Sequence, residues 1–150
     1  SYGDVKVLDK ISLLFERNGL VTILGPSGSG KSTLLKIAGS IDPKYDGSVS
    51  FGGNTVDKSE LHMQKTRAEM IGFVFQEFNL IDSMTVRENI RISVKLAGML
   101  NDDEAYRDTM SRFGLLDLEN RMPSTLSGGE KQRAAIVRAL LRENKVILAD

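Results

Sequence analysis

Residues 25–32 of this chain read GPSGSGKS and residues 126–130 read LSGGE. Both put bare glycine backbone beside a hydroxyl where a helix is due to begin, and exposed N–H groups at a helix start attract anions. The first stretch fits Gly-x-x-x-x-Gly-Lys-Ser, a loop that cradles phosphate when it joins a strand to a helix. Gly25, Gly28 and Gly30 permit backbone angles that turn successive N–H groups inward, and Pro26, Ser27 and Ser29 complete the loop. Lys31 adds a mobile positive charge for β- and γ-phosphates, the Ser32 hydroxyl suits Mg²⁺, and Thr33 stands beside it at the helix start. A glycine turn that merely links strand to helix is the plain alternative, and it leaves the lysine and serine unexplained. In the second stretch, Ser127, Gly128, Gly129 and Glu130 offer a hydroxyl, two bare amides and a helix dipole that favours negative charge by roughly 0.3–2 kcal/mol. A Ser127 cap with Glu130 back-capping fits the same residues. It does not account for the paired glycines, each of which costs about 1 kcal/mol inside a helix.

These residues need a scaffold, and the hydropathy pattern supplies one. GLVTILG at 19–25 reads as a buried strand feeding the phosphate loop, and KSTLLKIAG at 31–39 as the helix leaving it. GSVSFGGNTV at 47–56 predicts two short antiparallel strands around a glycine turn, and IGFVF at 71–75 a further buried strand that ends at Gln76. Thr85 with Glu88 forms a capping box before Ile90, Val94 and Ala97 at helical spacing. Asn101 with Glu104 repeats the device before Tyr106, Met110 and Phe113. A third helix begins at Ser127. The run VILAD at 146–150 has the form of a buried parallel strand whose tip carries a carboxylate, Asp150, able to hold a metal near phosphate. The expected fold is α/β: a phosphate-loop core on a mostly parallel sheet, a small antiparallel patch near the N-terminus, and a helical insert over about 84–125.

Composition narrows the classes. The chain has 150 residues, 41% hydrophobic and 27% charged, which suits one globular domain over 1–150. Lysine plus arginine balance aspartate plus glutamate at 20 each, so no global positive field draws nucleic acid or an anionic membrane. Cysteine is absent, which excludes disulfides and thiolate zinc sites. No apolar run approaches a membrane span and no signal peptide is visible, so a membrane contact would come through a partner rather than by direct insertion.

In order, GPSGSGKST, the glutamine of FVFQEFNL, LSGGEKQ and VILAD resemble the nucleotide-binding domain of an ATP-binding cassette (ABC) transporter over nearly the whole chain. The resemblance implies an ATP-hydrolysing motor with Mg²⁺, in which two subunits pack head to tail and Ser127 serves the partner's nucleotide. It implies Lys31, Gln76 and Asp150 as the catalytic set, with Gln76 on the metal and attacking water, and Tyr2 stacked on adenine. It also implies a membrane permease as partner and a cytoplasmic position at the inner face of the membrane. IGFVFQEFNLIDSMTVRENI further resembles the subgroup of lipoprotein-releasing, macrolide-export and antimicrobial-peptide-resistance ATPases. Two features depart from the family. The glutamate expected directly after Asp150 as general base, and a later histidine, are not among these residues, and a first strand is expected ahead of Tyr2. The chain therefore reads as a fragment that binds nucleotide and turns it over poorly.

Two other classes compete. Chromosome-maintenance and DNA-repair ATPases share the signature serine and glycines but separate the halves by a long coiled coil, whereas only about 50 residues lie between Gln76 and Ser127. A nucleotide-binding module without turnover is the other. Phe78, Leu80, Ile81 and Met84, just after Gln76, suggest an apolar groove for a permease loop. His62, in KSELHMQK, is expected at the surface. The dispersed methionines are expected to fill core gaps, and Arg87, Arg91 and Lys95 to line a solvated helix face.

Overall fold

The computed structural model describes residues 7–16, 19–98, 102–142 and 145–150. They form two compact units that divide after Met63. Tyr2 and Asn101 lie outside the described residues.

In the first unit the phosphate loop leads into α1 (Lys31–Ala38), as its sequence predicts. The helix stops at Gly39 because Ser40 takes a left-handed backbone, φ 56. The Ser40 and Ile41 N–H groups then bond back to Ile37 and Lys36 at 3.0 and 2.8 Å, which satisfies the last carbonyls. The antiparallel patch is a hairpin of β1 (Ser50–Phe51) and β2 (Asn54–Thr55). Gly52 and Gly53 make its two-residue turn with φ of 57 and 84, the pairing that a right-twisted hairpin requires.

The expected strand at 19–25 differs from the structure. The segment joins no sheet among the described residues, and Leu20 and Leu24 are 95% and 86% exposed. The physical reason is that a strand is made by its neighbours. An apolar run carries the propensity, but without a bonded partner and a covering layer it remains extended backbone.

Helix α2 (Glu60–Met70) spans the division and was not read from the sequence. Its stretch is polar, and Met63 is its one buried residue. His62 is exposed as expected, 2.8 Å from the Ser59 hydroxyl.

In the second unit α2 runs directly into β3 (Ile71–Val74), which pairs in parallel with β4 (Val146–Ala149) in the register Ile71 to Val146 and Val74 to Ala149. The Arg142 guanidinium donates to the Arg67 and Ala68 carbonyls at 2.7 and 2.5 Å and so caps the C-terminal end of α2. β4 is parallel as predicted but not buried throughout. Ile147 and Ala149 face outward because only alternate residues of the ribbon meet covering side chains.

Three helices carry the core: α3 (Val86–Leu96), α4 (Asp103–Arg112) and α5 (Gly128–Leu140). Val86 and Ile90 of α3, Tyr106 and Met110 of α4, and Ala134 and Val137 of α5 meet around Leu115 and Leu126. The capping boxes at Thr85/Glu88 and Ser127/Glu130 both form. At α4 the cap is Asp102, whose carboxylate accepts from the Glu104 and Ala105 N–H groups at 3.0 Å. Met63 and Met110 fill core space, as expected of methionine.

The arginine face of α3 corrects its expectation. Arg87 pairs with Glu119 at 3.5 Å and Arg91 with Asp103 at 2.5 Å, and both guanidinium groups lie over the Tyr106 ring. Helix α4 and the short turn at 116–118 return along that face, so two of its cations meet carboxylates and an aromatic ring rather than water alone. Burial, reinforced by the hydrogen bond to Glu119, pushes the Tyr106 hydroxyl well above the usual tyrosine range.

Candidate functional site

The phosphate loop closes on its own lysine. Lys31 Nζ donates to the Gly25 and Pro26 carbonyls at 2.9 and 2.8 Å, with Ser29 Oγ at 3.5 Å. Gly28 and Gly30 are left-handed, φ 79 and 90, which a residue with a Cβ rarely adopts. At Gly25 a Cβ would meet Ser29 Oγ at 2.8 Å, and at Gly30 it would meet Leu8 Cδ2 and Val7 Cγ1 at 3.0 Å. Gly30 caps α1 without any side-chain hydrogen bond, at the kind of helix start whose N–H groups attract anions. A loop of left-handed glycines with an ammonium hinged across its carbonyls has the chemistry to take a nucleotide phosphate.

In the second unit Gln76 follows β3 and Asp150 follows β4. The Asp150 N–H donates to the Val74 carbonyl at 3.0 Å, so the parallel ladder continues to the tip and sets the two side chains on neighbouring strand ends, both exposed. They are oxygen donors of the hard kind that Mg²⁺ takes. Among the described residues no three acidic or histidine groups gather as a metal cage.

Helix α5 presents the other candidate. Ser127 Oγ donates to Glu130 Oε2 at 2.7 Å, as does the Ser127 N–H, and Ser127 Oγ accepts from the Glu130 N–H at 3.4 Å. The Ser127 hydroxyl and N–H, assisted by Arg133 and Arg121, hold the Glu130 carboxyl below the usual glutamate range. A Cβ at Gly128 would meet nothing within 4 Å, and one at Gly129 only Arg133 Nη1 at 3.7 Å. The described residues therefore give no steric reason for either glycine.

Beyond Gln76 the backbone makes a tight reversal that sequence reasoning did not anticipate. Phe78 and Asn79 are both left-handed, φ 61 and 46. Arg138 Nη2 donates to the Phe78 carbonyl at 2.8 Å, and Arg138 Nη1 to that of Asn79. Buried Asn89 accepts from the Ile81 N–H at 2.6 Å and donates to the carbonyls of Ile81, Met84 and Thr85 at 2.9–3.0 Å. A signal for both residues exists in hindsight. Arg138 stands between the buried Val137 and Ala139, and Asn89 shares the apolar face of Val86 and Ile90. Of the expected groove residues, Leu80 packs on the helical core and Ile81 stays 42% exposed.

The ABC transporter family model matches residues 8–150. The chain is 40% identical over 153 residues to the lipoprotein-releasing system ATP-binding protein of Bacteroides thetaiotaomicron, which covers 100% of this chain and 70% of that protein. It is 36% identical over 148 residues to the bacitracin export ATP-binding protein of Halalkalibacterium halodurans, covering 97% of this chain and 58% of the relative. With the macrolide export ATP-binding/permease protein of Aggregatibacter actinomycetemcomitans the identity is 40% over 149 residues, 97% of this chain and 23% of the relative. The dimeric structure of MJ0796, a bacterial ABC transporter cassette, superposes with a TM-score of 0.87 at 36% identity, over 96% of this chain and 65% of that one. A second MJ0796 dimer, in a post-hydrolysis state bound to ADP and Pi, gives 0.76 at 38% identity over 83% and 57%. These relatives fall in the lipoprotein-releasing, macrolide-export and peptide-resistance group that residues 71–90 suggested.

Proposed function

The chain belongs to the ABC transporter family, and on that premise we propose that it is the ATP-binding and hydrolysing motor part of a transporter, which works as a head-to-tail pair. The observation that carries this reading is the pair of glycines at 128 and 129, which no contact among the described residues demands. Their bare amides and the Ser127 hydroxyl suit a phosphate brought by a second subunit. The phosphate loop, Gly25 to Thr33, holds the subunit's own ATP, with Lys31 on the β- and γ-phosphates. Ser32, Gln76 and Asp150 are the oxygen donors that serve Mg²⁺, whose chemistry is to neutralise charge on the phosphates. Gln76 also orients the attacking water. Tyr2 stacks on adenine.

Residues 1–150 act as part of one ABC-type ATP-binding domain. No helix among the described residues is long and apolar enough to cross a membrane. The reading therefore assigns membrane contact to a permease, docked near Phe78, Ile81 and Met84, from the cytoplasmic side.

Sedimentation with and without Mg-ATP tests the pair. ATP is expected to convert single subunits to dimers in the full-length protein, and Gly129→Asp, which sets a carboxylate against the phosphate, is expected to abolish the conversion while leaving nucleotide binding intact. Dimerisation that ignores both nucleotide and the substitution would overturn the reading.

A further inference from the structure

Left-handed backbone is disfavoured for residues with a Cβ, and Phe78 and Asn79 hold it in succession. Such a turn persists only where its surroundings define it, and here its two carbonyls converge on one guanidinium, that of Arg138. Arg138 is fixed in its turn. It lies in the last turn of α5, between buried neighbours, and its carbonyl accepts from the Ser93 hydroxyl of α3 at 3.2 Å. Asn89 grips the far side of the same loop at Ile81. The helix that ends at this clamp is the one that Ser127 opens. Eleven positions of helix, about 16 Å, separate the phosphate-facing end from the guanidinium.

We propose that Arg138 is a positioning residue: it ties the loop that carries Gln76 to the far end of the Ser127 helix, so that the two move as one body. This rests on reading Gln76 as nucleotide-facing. A movement of α5 on meeting a partner's phosphate is transmitted through the guanidinium to the Phe78 and Asn79 carbonyls and hence to Gln76. The helix is the rod and the bidentate fork the joint. An arginine suits this task because its planar fork reaches two carbonyls at once, whereas a lysine ammonium offers one point charge.

The test is made in the full-length protein with Arg138→Met, Arg138→Lys and Gln76→Ala. Hydrogen exchange at the Phe78 and Asn79 amides is expected to rise about ten- to a hundred-fold in Arg138→Met, the equivalent of one or two lost charge-assisted bonds, while amides 131–137 stay within about twofold. Arg138→Lys is expected to fall between, and remains informative if Arg138→Met does not fold. The kcat for ATP should drop about tenfold in Arg138→Met with KM within about twofold, as for an interaction that acts only on the reacting state. The Ser127→Ala and Gln76→Ala effects on kcat should be coupled with Arg138 present and independent without it. Unchanged exchange at Phe78 and Asn79 in the folded variants overturns the clamp. Looser exchange with unchanged kcat, where Gln76→Ala is slow, overturns the coupling. Gln76→Ala with normal turnover instead overturns the nucleotide-facing reading of Gln76, whatever Arg138 does.

Discussion

At residues 25–30 the chain's own geometry demands glycine, through left-handed backbone at Gly28 and Gly30 and steric contact at Gly25 and Gly30. At residues 128–129 nothing among the described residues does. The first region is closed by its own lysine and left without a side-chain cap at the helix start. The second is capped by its own Glu130, and on the proposed reading its bare amides serve a molecule outside the chain. The regions differ in support as well. No residue of α1 is buried, whereas Ala134, Ala135, Val137 and Ala139 of α5 are. The glycines of the first stretch thus rest on local backbone geometry, while those of the second are mounted on a helix that the core holds.

The largest expected effect tests that difference in support. Ile90→Ala, at a side chain with no exposure, should cost about 2–5 kcal/mol of unfolding free energy. Leu34→Ala on the half-exposed α1 should cost under about 2 kcal/mol. Urea unfolding monitored by circular dichroism measures both, and equal costs would mean that α1 is supported as firmly as α3.

Lys31→Ala comes next, because it removes a charge-assisted phosphate contact. ATP affinity should fall about ten- to a hundred-fold, from a loss of roughly 1.5–3 kcal/mol. Ser127→Ala should leave single-subunit affinity unchanged, since on the proposed reading that hydroxyl serves another copy. Calorimetric titration with Mg-ATP separates the two, and a matching loss in Ser127→Ala would make both stretches parts of one subunit's site.

A smaller contrast lies in the glycines themselves. Gly28→Ala should destabilise by about 1–2 kcal/mol, the cost of left-handed backbone with a Cβ. Gly129→Ala should stabilise by up to about 1 kcal/mol, because helical backbone there prefers alanine and finds room for it. Thermal melts should therefore shift in opposite directions, and a loss of stability at both positions would erase the comparison.

The smallest effect is the cap of α5. The Glu130 carboxyl is held below its ordinary range by Ser127, so the stabilisation it lends is complete above the unfolded glutamate pKa of about 4.3 and lost as pH falls through the lower folded value. A carboxyl-carbon NMR titration should place Glu130 below the ordinary glutamate range, in company with the similarly capped Glu88. Ser127→Ala should bring Glu130 back toward that range, and so should ATP-driven dimerisation if the hydroxyl turns to the partner's phosphate. An unmoved titration in the dimer would mean that Ser127 stays with Glu130.

Local features were legible in the residues. Gly25 to Thr33, the Gly52–Gly53 turn, the Thr85 and Ser127 caps and the apolar spacing of α3 each follow from interactions within a few positions. What escaped was set by distant neighbours. The polar stretch of α2 gave little periodic signal because only Met63 is buried, and the cap of α4 moved to Asp102 because two N–H groups could reach its carboxylate. The arginine face of α3 became an ion-paired interface only when α4 and residue 119 returned against it.

From the sequence alone came the chemistry of the phosphate loop, the order of motifs that identifies the family, and the anomaly of two glycines at a helix start. These depend on residue type and covalent spacing, which the chain carries in any conformation. Tertiary structure decided the rest. It left Leu20 and Leu24 open and set Gln76 and Asp150 on neighbouring strand tips. It also brought Arg138 onto the Phe78 carbonyl from 60 positions away. Burial, strand partnership and a long-range hydrogen bond belong to pairs of distant segments, and no single segment encodes its partner.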